Sequence, residues 1–181
     1  MNIETEITPN PETLKFIIKS EYIKQHGIEI KSNKEAKRFK FSNEIFQIKG
    51  VNRIFIGENF VSVTKDKNIT WNTIKTKILT FLIDYISSNK NIIDNKNLKK
   101  IVKKGKDKIS INIEKIIDEK VRPAVARDGG DIKFKKYNNG IVTVQLQGSC
   151  SGCPSSIMTL KQGVQNLLCH YIPEVKEVIA I

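Results

Sequence analysis

The sequence predicts an α+β protein of two small domains joined by a Lys/Asn-rich linker, the second domain running in the order αββαβ. Three observations carry this expectation. Apolar residues recur at helical spacing in some segments and alternate with period two in others. A stretch at 89–108 holds eight Lys, two Asp and no aromatic residue, the composition of a solvated linker. The 181 residues suffice for one ordinary domain or two small ones, and the linker favours two. The expected organisation is therefore 1–88, a basic linker at 89–108, and 109–181.

In the first domain, Leu14-Lys15-Phe16-Ile17-Ile18 reads as a short strand after the turn-prone Thr8-Pro9-Asn10-Pro11. Arg53-Ile54-Phe55-Ile56 and Phe60-Val61-Ser62-Val63-Thr64 read as two strands flanking a Gly57-Glu58-Asn59 turn. Trp71, Ile74, Ile78, Phe81, Leu82 and Tyr85 then mark a helix over 71–87. These are core positions, and no catalytic constellation stands among them. His26 has no cysteine near it in sequence and reads as an ordinary surface or core residue.

In the second domain, Ile113, Ile116, Ile117, Val121, Ala124 and Val125 share a helical face, which Pro123 is expected to kink or end. Asp128-Gly129-Gly130-Asp131 reads as a turn. Strands follow at 132–137 and 141–147, joined by the hairpin signal Asn138-Asn139-Gly140. Val142, Val144 and Leu146 face one side and Thr143, Gln145 and Gln147 the other. A second helix is expected from Pro154, which suits a first helical position because it lacks an N–H. Its stripe is Ile157, Leu160, Val164, Leu167, Leu168 and Tyr171; Pro173 stops it, and 175–181 reads as a last strand.

Composition excludes several classes. Charged residues make 28% and the hydrophobic set 39%, close to globular averages. No apolar run approaches the roughly 20 residues that span a bilayer, so no membrane partner is expected. Three cysteines are too few for a disulfide scaffold. The first residues, Met1-Asn2-Ile3-Glu4-Thr5-Glu6, are acidic and lack the basic region of a leader, so the mature chain is expected to begin here and stay in a reducing, cytoplasmic compartment.

The net charge of +12 invites a nucleic-acid reading, but 27 Lys stand against 4 Arg, the residue that reads guanine and stacks on bases. Lys, 30 Ile and 16 Asn are together what an AT-rich genome over-supplies, so most of the charge is read as solvated and no specific nucleic acid is expected.

The chemistry lies in Gly148-Ser149-Cys150-Ser151-Gly152-Cys153-Pro154-Ser155-Ser156, where two cysteines leave a strand and enter a helix. Free N–H groups and the helix dipole favour thiolate there, the form that binds iron or zinc. Cys169 follows Cys153 by 16 residues on one helix, about 24 Å away at about 1.5 Å per residue, too far to share a metal within one chain. It and His170 read as structural or incidental. A Cys-ligated 4Fe–4S cluster or a Cys-only zinc site needs four thiolates. Cys150 and Cys153 supply two, and a two-fold homodimer is the simplest closure.

At these residues the chain resembles the NifU-like (Nfu-type) iron–sulfur cluster scaffold and carrier proteins. In the second domain the match runs through Val121-Arg122-Pro123-Ala124-Val125, Asp128-Gly129-Gly130-Asp131-Ile132, the Gly148 to Ser156 loop, Thr159-Leu160-Lys161 and Tyr171-Ile172-Pro173-Glu174-Val175. The first domain resembles the family's N-terminal domain through Thr8-Pro9-Asn10-Pro11-Glu12-Thr13-Leu14-Lys15-Phe16, Phe60-Val61-Ser62-Val63-Thr64-Lys65 and Trp71. It departs between Ser32 and Ile45, where Glu35-Ala36-Lys37-Arg38-Phe39-Lys40 replaces the family's Ser-Pro-Leu-Ala segment.

The resemblance implies a 4Fe–4S cluster held between two protomers on Cys150 and Cys153, and its transfer to apo-proteins after receipt from an upstream donor, without enzymatic turnover. Gly129 and Gly130 are read as serving the turn and Pro154 helix entry. Zinc is expected only as an adventitious occupant. A thiol–disulfide oxidoreductase is the rival from the enzyme class, since CxxC at a helix start is also its motif, but no βαβ unit precedes it here.

Overall fold

The computed structural model describes residues 3–88, 91–93, 107–152 and 154–181. Most of the expected linker lies outside the described residues, as does Cys153. The chain divides into two compact units, Met1–Leu98 and Lys99–Ile181.

Among the described residues, the first unit holds a five-stranded antiparallel sheet in the order β1-β2-β5-β4-β3. The strands are β1 (Thr5–Ile7), β2 (Thr13–Ile17), β3 (Ile28–Ile30), β4 (Val51–Ile56) and β5 (Phe60–Lys65). Period-two alternation sends Leu14 and Phe16, Ile54 and Ile56, and Val61 and Val63 to one face. They share a core with Ile74, Ile78, Leu82, Tyr85 and Ile86 of the long helix, Trp71–Ser87. The edge strands β1 and β3 are three residues each and were not expected from sequence; pairing with β2 and β4 makes them.

The segment that departs from the family forms two short helices, α1 (Asn33–Ala36) and α2 (Lys40–Ile45); the long helix is α3. The Ser32 side chain accepts from Glu35 N–H, and Glu35 Oε2 accepts from Lys31 N–H at 2.8 Å, a variant of the capping box. From α2, Phe41 is fully buried, its ring centre 5.6 Å from Phe81 and 5.2 Å from Tyr85. Phe41→Ala is expected to destabilise this unit by about 3–5 kcal/mol, read from Trp71 fluorescence during denaturant unfolding.

Ile92 and Ile93 correct the expected linker start. Both are 1% exposed within the first core, and Ile92 N–H donates to the Tyr22 carbonyl at 3.0 Å. Asn and Lys around this pair gave the segment its linker composition. The linker end also moves: Asp107 caps a helix that begins at Lys108, α4 (Lys108–Ile116). The Asp107 carboxylate accepts from Ser110 N–H at 2.7 Å and from Ser110 Oγ at 2.9 Å, which holds it below the ordinary carboxylate range.

In the second unit α4 continues through a π-turn (Ile117–Val121) into α5 (Arg122–Arg127). Pro123 neither ends the helix nor leaves it regular. In a regular helix its ring would clash with the carbonyl four residues back, and the wider turn before it makes room. The sheet order is β6-β7-β8 among the described residues: β6 (Gly130–Asn138), β7 (Ile141–Gly148) and β8 (Glu177–Ala180). Asn139 and Gly140 both take positive φ (47° and 86°), as a two-residue type I′ hairpin requires. Lys135 is the extra residue of a bulge, so Tyr137 lies opposite the core residue Val142 instead of alternating away. After α6 (Pro154–Tyr171), β8 pairs parallel with β7. The observed order is αββαβ, as expected, with the first α built of α4, the π-turn and α5.

The core of this unit gathers Ile113, Ile117, Val125, Ile132, Val142, Val144, Val164, Leu168 and Val178. One expectation for α6 is corrected: Tyr171, placed on the apolar stripe, is 46% exposed, with the Lys120 ammonium 4.9 Å from its ring centre. Cys169 is half-buried against the core of this unit. Among the described residues no helix is long and apolar enough to cross a membrane.

Candidate metal centre

The loop between β7 and α6 is built on backbone turns. Gly148 (φ 67°) ends the strand and Gly152 (φ 90°) precedes the helix, both in the left-handed region that a side chain disfavours. Between them Ser151 N–H donates to the Gly148 carbonyl at 3.1 Å. Ser149 is 2% exposed and fastens the loop to the turn before β6: its N–H donates to the Gly129 carbonyl at 3.2 Å and its Oγ to the Asp128 carbonyl.

Cys150 points inward. It is 4% exposed and belongs to the core of the second unit, its Sγ 3.8 Å from Ser149 Oγ. Gly130 pairs with Gly148 across the two strands. A Cβ at Gly130 would lie 2.8 Å from Cys150 Sγ and 2.7 Å from the Gln147 carbonyl oxygen, closer than real Cβ contacts come. The missing side chain at Gly130 is therefore the space beside the sulfur. This divides the roles expected of the two glycines. Gly129 (φ 78°) makes the turn, whereas Gly130 is already in the strand and provides room.

The turn is anchored in its own right. Asp131, 8% exposed, accepts from Ile132 N–H at 2.8 Å and from Arg122 Nε at 3.0 Å. Arg122 also donates to the Ile132 carbonyl at 3.2 Å and pairs with Asp118 at 3.1 Å. One guanidinium thus joins the π-turn, α5 and the start of β6. Sequence reasoning had both residues within the family motif without a role, and their nine-residue separation across a turn was the available signal. Arg122→Ala leaves the nearly buried Asp131 carboxylate without its guanidinium. A loss of about 1 kcal/mol is expected, near the low end for a group stripped of a partner because Arg122 is half-exposed, measured by thermal unfolding.

Pro154 begins α6 as expected. Cys169 lies 15 residues further along that helix, about 22 Å at about 1.5 Å per residue. His170 packs edge-on against Tyr171 at 5.0 Å and His26 is exposed. Among the described residues, no three His, Cys, Asp or Glu side chains come together as a metal site. The loop's thiols are the soft donors that iron or zinc prefers. Cys150 fits as such a donor by chemistry, while its sulfur is turned toward the core.

Two family models match the chain. "Scaffold protein Nfu/NifU N terminal" covers residues 3–89 and "NifU-like domain" covers residues 113–179. Among curated proteins, the "NFU1 iron-sulfur cluster scaffold homolog, mitochondrial" of Drosophila ananassae is 39% identical over 98% of this chain and 63% of its own length. The human protein of the same name is 37% identical over 98% of this chain and 71% of its own length. The chain thus spans about two thirds of the length of these relatives. A solution structure of a NifU-like protein from Saccharomyces cerevisiae aligns over 53% of this chain and 87% of its own, at 28% identity and a TM-score of 0.47. The cytoplasmic expectation is overturned, since both relatives are named mitochondrial. Cysteine usage does not separate one reducing compartment from another.

Proposed function

The chain belongs to the NifU-like (Nfu) family of iron–sulfur cluster scaffold proteins, and from that membership we propose that it holds one 4Fe–4S cluster between two copies of itself and passes it to apo-proteins. The observation that carries the reading is the ligand arithmetic. Each chain has three cysteines, and Cys169 stands a helix length from the loop that bears Cys150 and Cys153. A cluster with four thiolate ligands then takes both loop cysteines from each of two chains.

The cluster is cargo, and no enzymatic turnover is proposed. Two halves that separate release it more readily than a cage closed within one chain. Incoming client thiolates replace one pair of ligands while the other pair still holds. The proposed partners are a second copy, an upstream cluster donor and apo iron–sulfur clients. Zinc, which accepts the same thiolates, is proposed only as an occupant acquired during purification.

Anaerobic reconstitution with iron and sulfide tests the reading. The expected product is a coloured species with roughly four iron and four sulfide per two chains. A colourless chain in which Cys150 and Cys153 cycle between dithiol and disulfide would overturn it in favour of an oxidoreductase.

A further inference from the structure

We infer that the cluster-free chain stores the Cys150 sulfur inward, in the seat left open by Gly130 and latched by Ser149, and presents it to a cluster only when that latch opens. The inference rests on the reading of Cys150 as a cluster ligand. A cluster shared by two chains lies at the surface of both, and a sulfur inside one chain's core does not reach it. Cys150 is 4% exposed and packs among the apolar residues of the second unit.

Seat and latch belong to one turn. Gly130 supplies the space, where a Cβ would meet Cys150 Sγ at 2.8 Å. Asp128 and Gly129, the two residues before it, supply the carbonyls that take the Ser149 Oγ and N–H. Arg122 holds the far side of the same turn through Asp131. The seat is therefore anchored in the fold, and the moving part is the loop side, Ser149 to Gly152. Gly148 and Gly152 bound that loop, and the Ser151 to Gly148 hydrogen bond inside it is local and quickly remade. Opening at the Ser149 latch is the step that turns the sulfur outward while the strands stay paired. In the stored position the thiol is also sheltered from oxidants and from disulfide exchange, whose rates follow access.

The test is site-resolved alkylation of the full-length, cluster-free chain, kept reduced with a phosphine and treated with iodoacetamide, with each cysteine followed by peptide mass spectrometry. Half-buried Cys169 on the same core is the internal reference. Cys150 is expected to react at least about tenfold more slowly than Cys169, because it must wait for local opening. Ser149→Ala removes the hydroxyl latch and is expected to speed Cys150 alkylation by about three- to tenfold with Cys169 unchanged, the range a single lost hydrogen bond allows.

Equal rates at Cys150 and Cys169 in the unaltered chain would overturn the stored position. An unchanged Cys150 rate in Ser149→Ala, or a parallel rise at both cysteines, would overturn the latch. Failure of the cluster reading itself is separately visible as an unaltered chain that retains no iron and sulfide, which leaves the alkylation ratio untouched.

Discussion

Cys150→Ala and Cys153→Ala are each expected to yield a folded chain that retains no cluster and does not dimerise on reconstitution. Each substitution removes two of the four thiolates at once, because both protomers carry it, and a cluster left with half its ligands is not held. The fold is expected to survive. At Cys150 one buried sulfur is lost from the second core, a change on the order of 1 kcal/mol by analogy with single-methylene deletions. Cys169→Ala is the matched control. It removes a half-buried sulfur from the same core and is expected to load and dimerise normally. Iron and sulfide analysis together with sedimentation on the three variants separates the ligands from the bystander.

The second large effect is expected from Gly130→Ala. The added methyl points into the Gln147 carbonyl and the Cys150 sulfur, and the carbonyl, as part of the central strand, has no freedom to withdraw. The sulfur or the strand pairing gives way. Overpacking of this kind costs about 1–3 kcal/mol, and each kcal/mol lowers the melting temperature of a domain this small by about 4–8 °C. The loss is confined to the second unit, so Trp71, the single tryptophan and a residue of the first unit, is expected to report an unchanged transition. Hydrogen exchange in β6 and β7 is expected to speed up. An unchanged melting temperature and an unshifted Cys150 would show that the space beside Gly130 is slack.

The long elements of the fold were legible because their signals are local. Helical spacing from Trp71 to Tyr85 sufficed for α3, and Asn139-Gly140 between alternating strands sufficed for the hairpin. Features made by partners at long range were not legible. β1 is three residues long, and its Ile7 is 89% exposed, so no apolar pattern announces a strand. Ile92 and Ile93 sit in a run of Asn, Asp and Lys whose composition outweighs two residues. Pro123 signalled a disturbance in its helix, but a wider turn relieves the same clash as a break, and sequence does not choose between them.

The candidate site divides along the same line. The loop with Cys150, Gly148 and Gly152 between strand and helix was legible as a motif with a chemical purpose. The inward Cys150 sulfur was not, because its seat is a glycine 20 positions earlier whose absent side chain leaves no mark in the sequence. The Arg122–Asp131 pair was present in the motif, but only the folded turn shows that it anchors the strand carrying that seat.

Native mass spectrometry of the anaerobically reconstituted protein asks whether one cluster is shared by two chains. A shared cluster is expected to give a species of two chains with roughly four iron and four sulfide, and single chains free of iron. A single chain carrying a complete cluster, or a dimer that persists after the iron is removed, would contradict it.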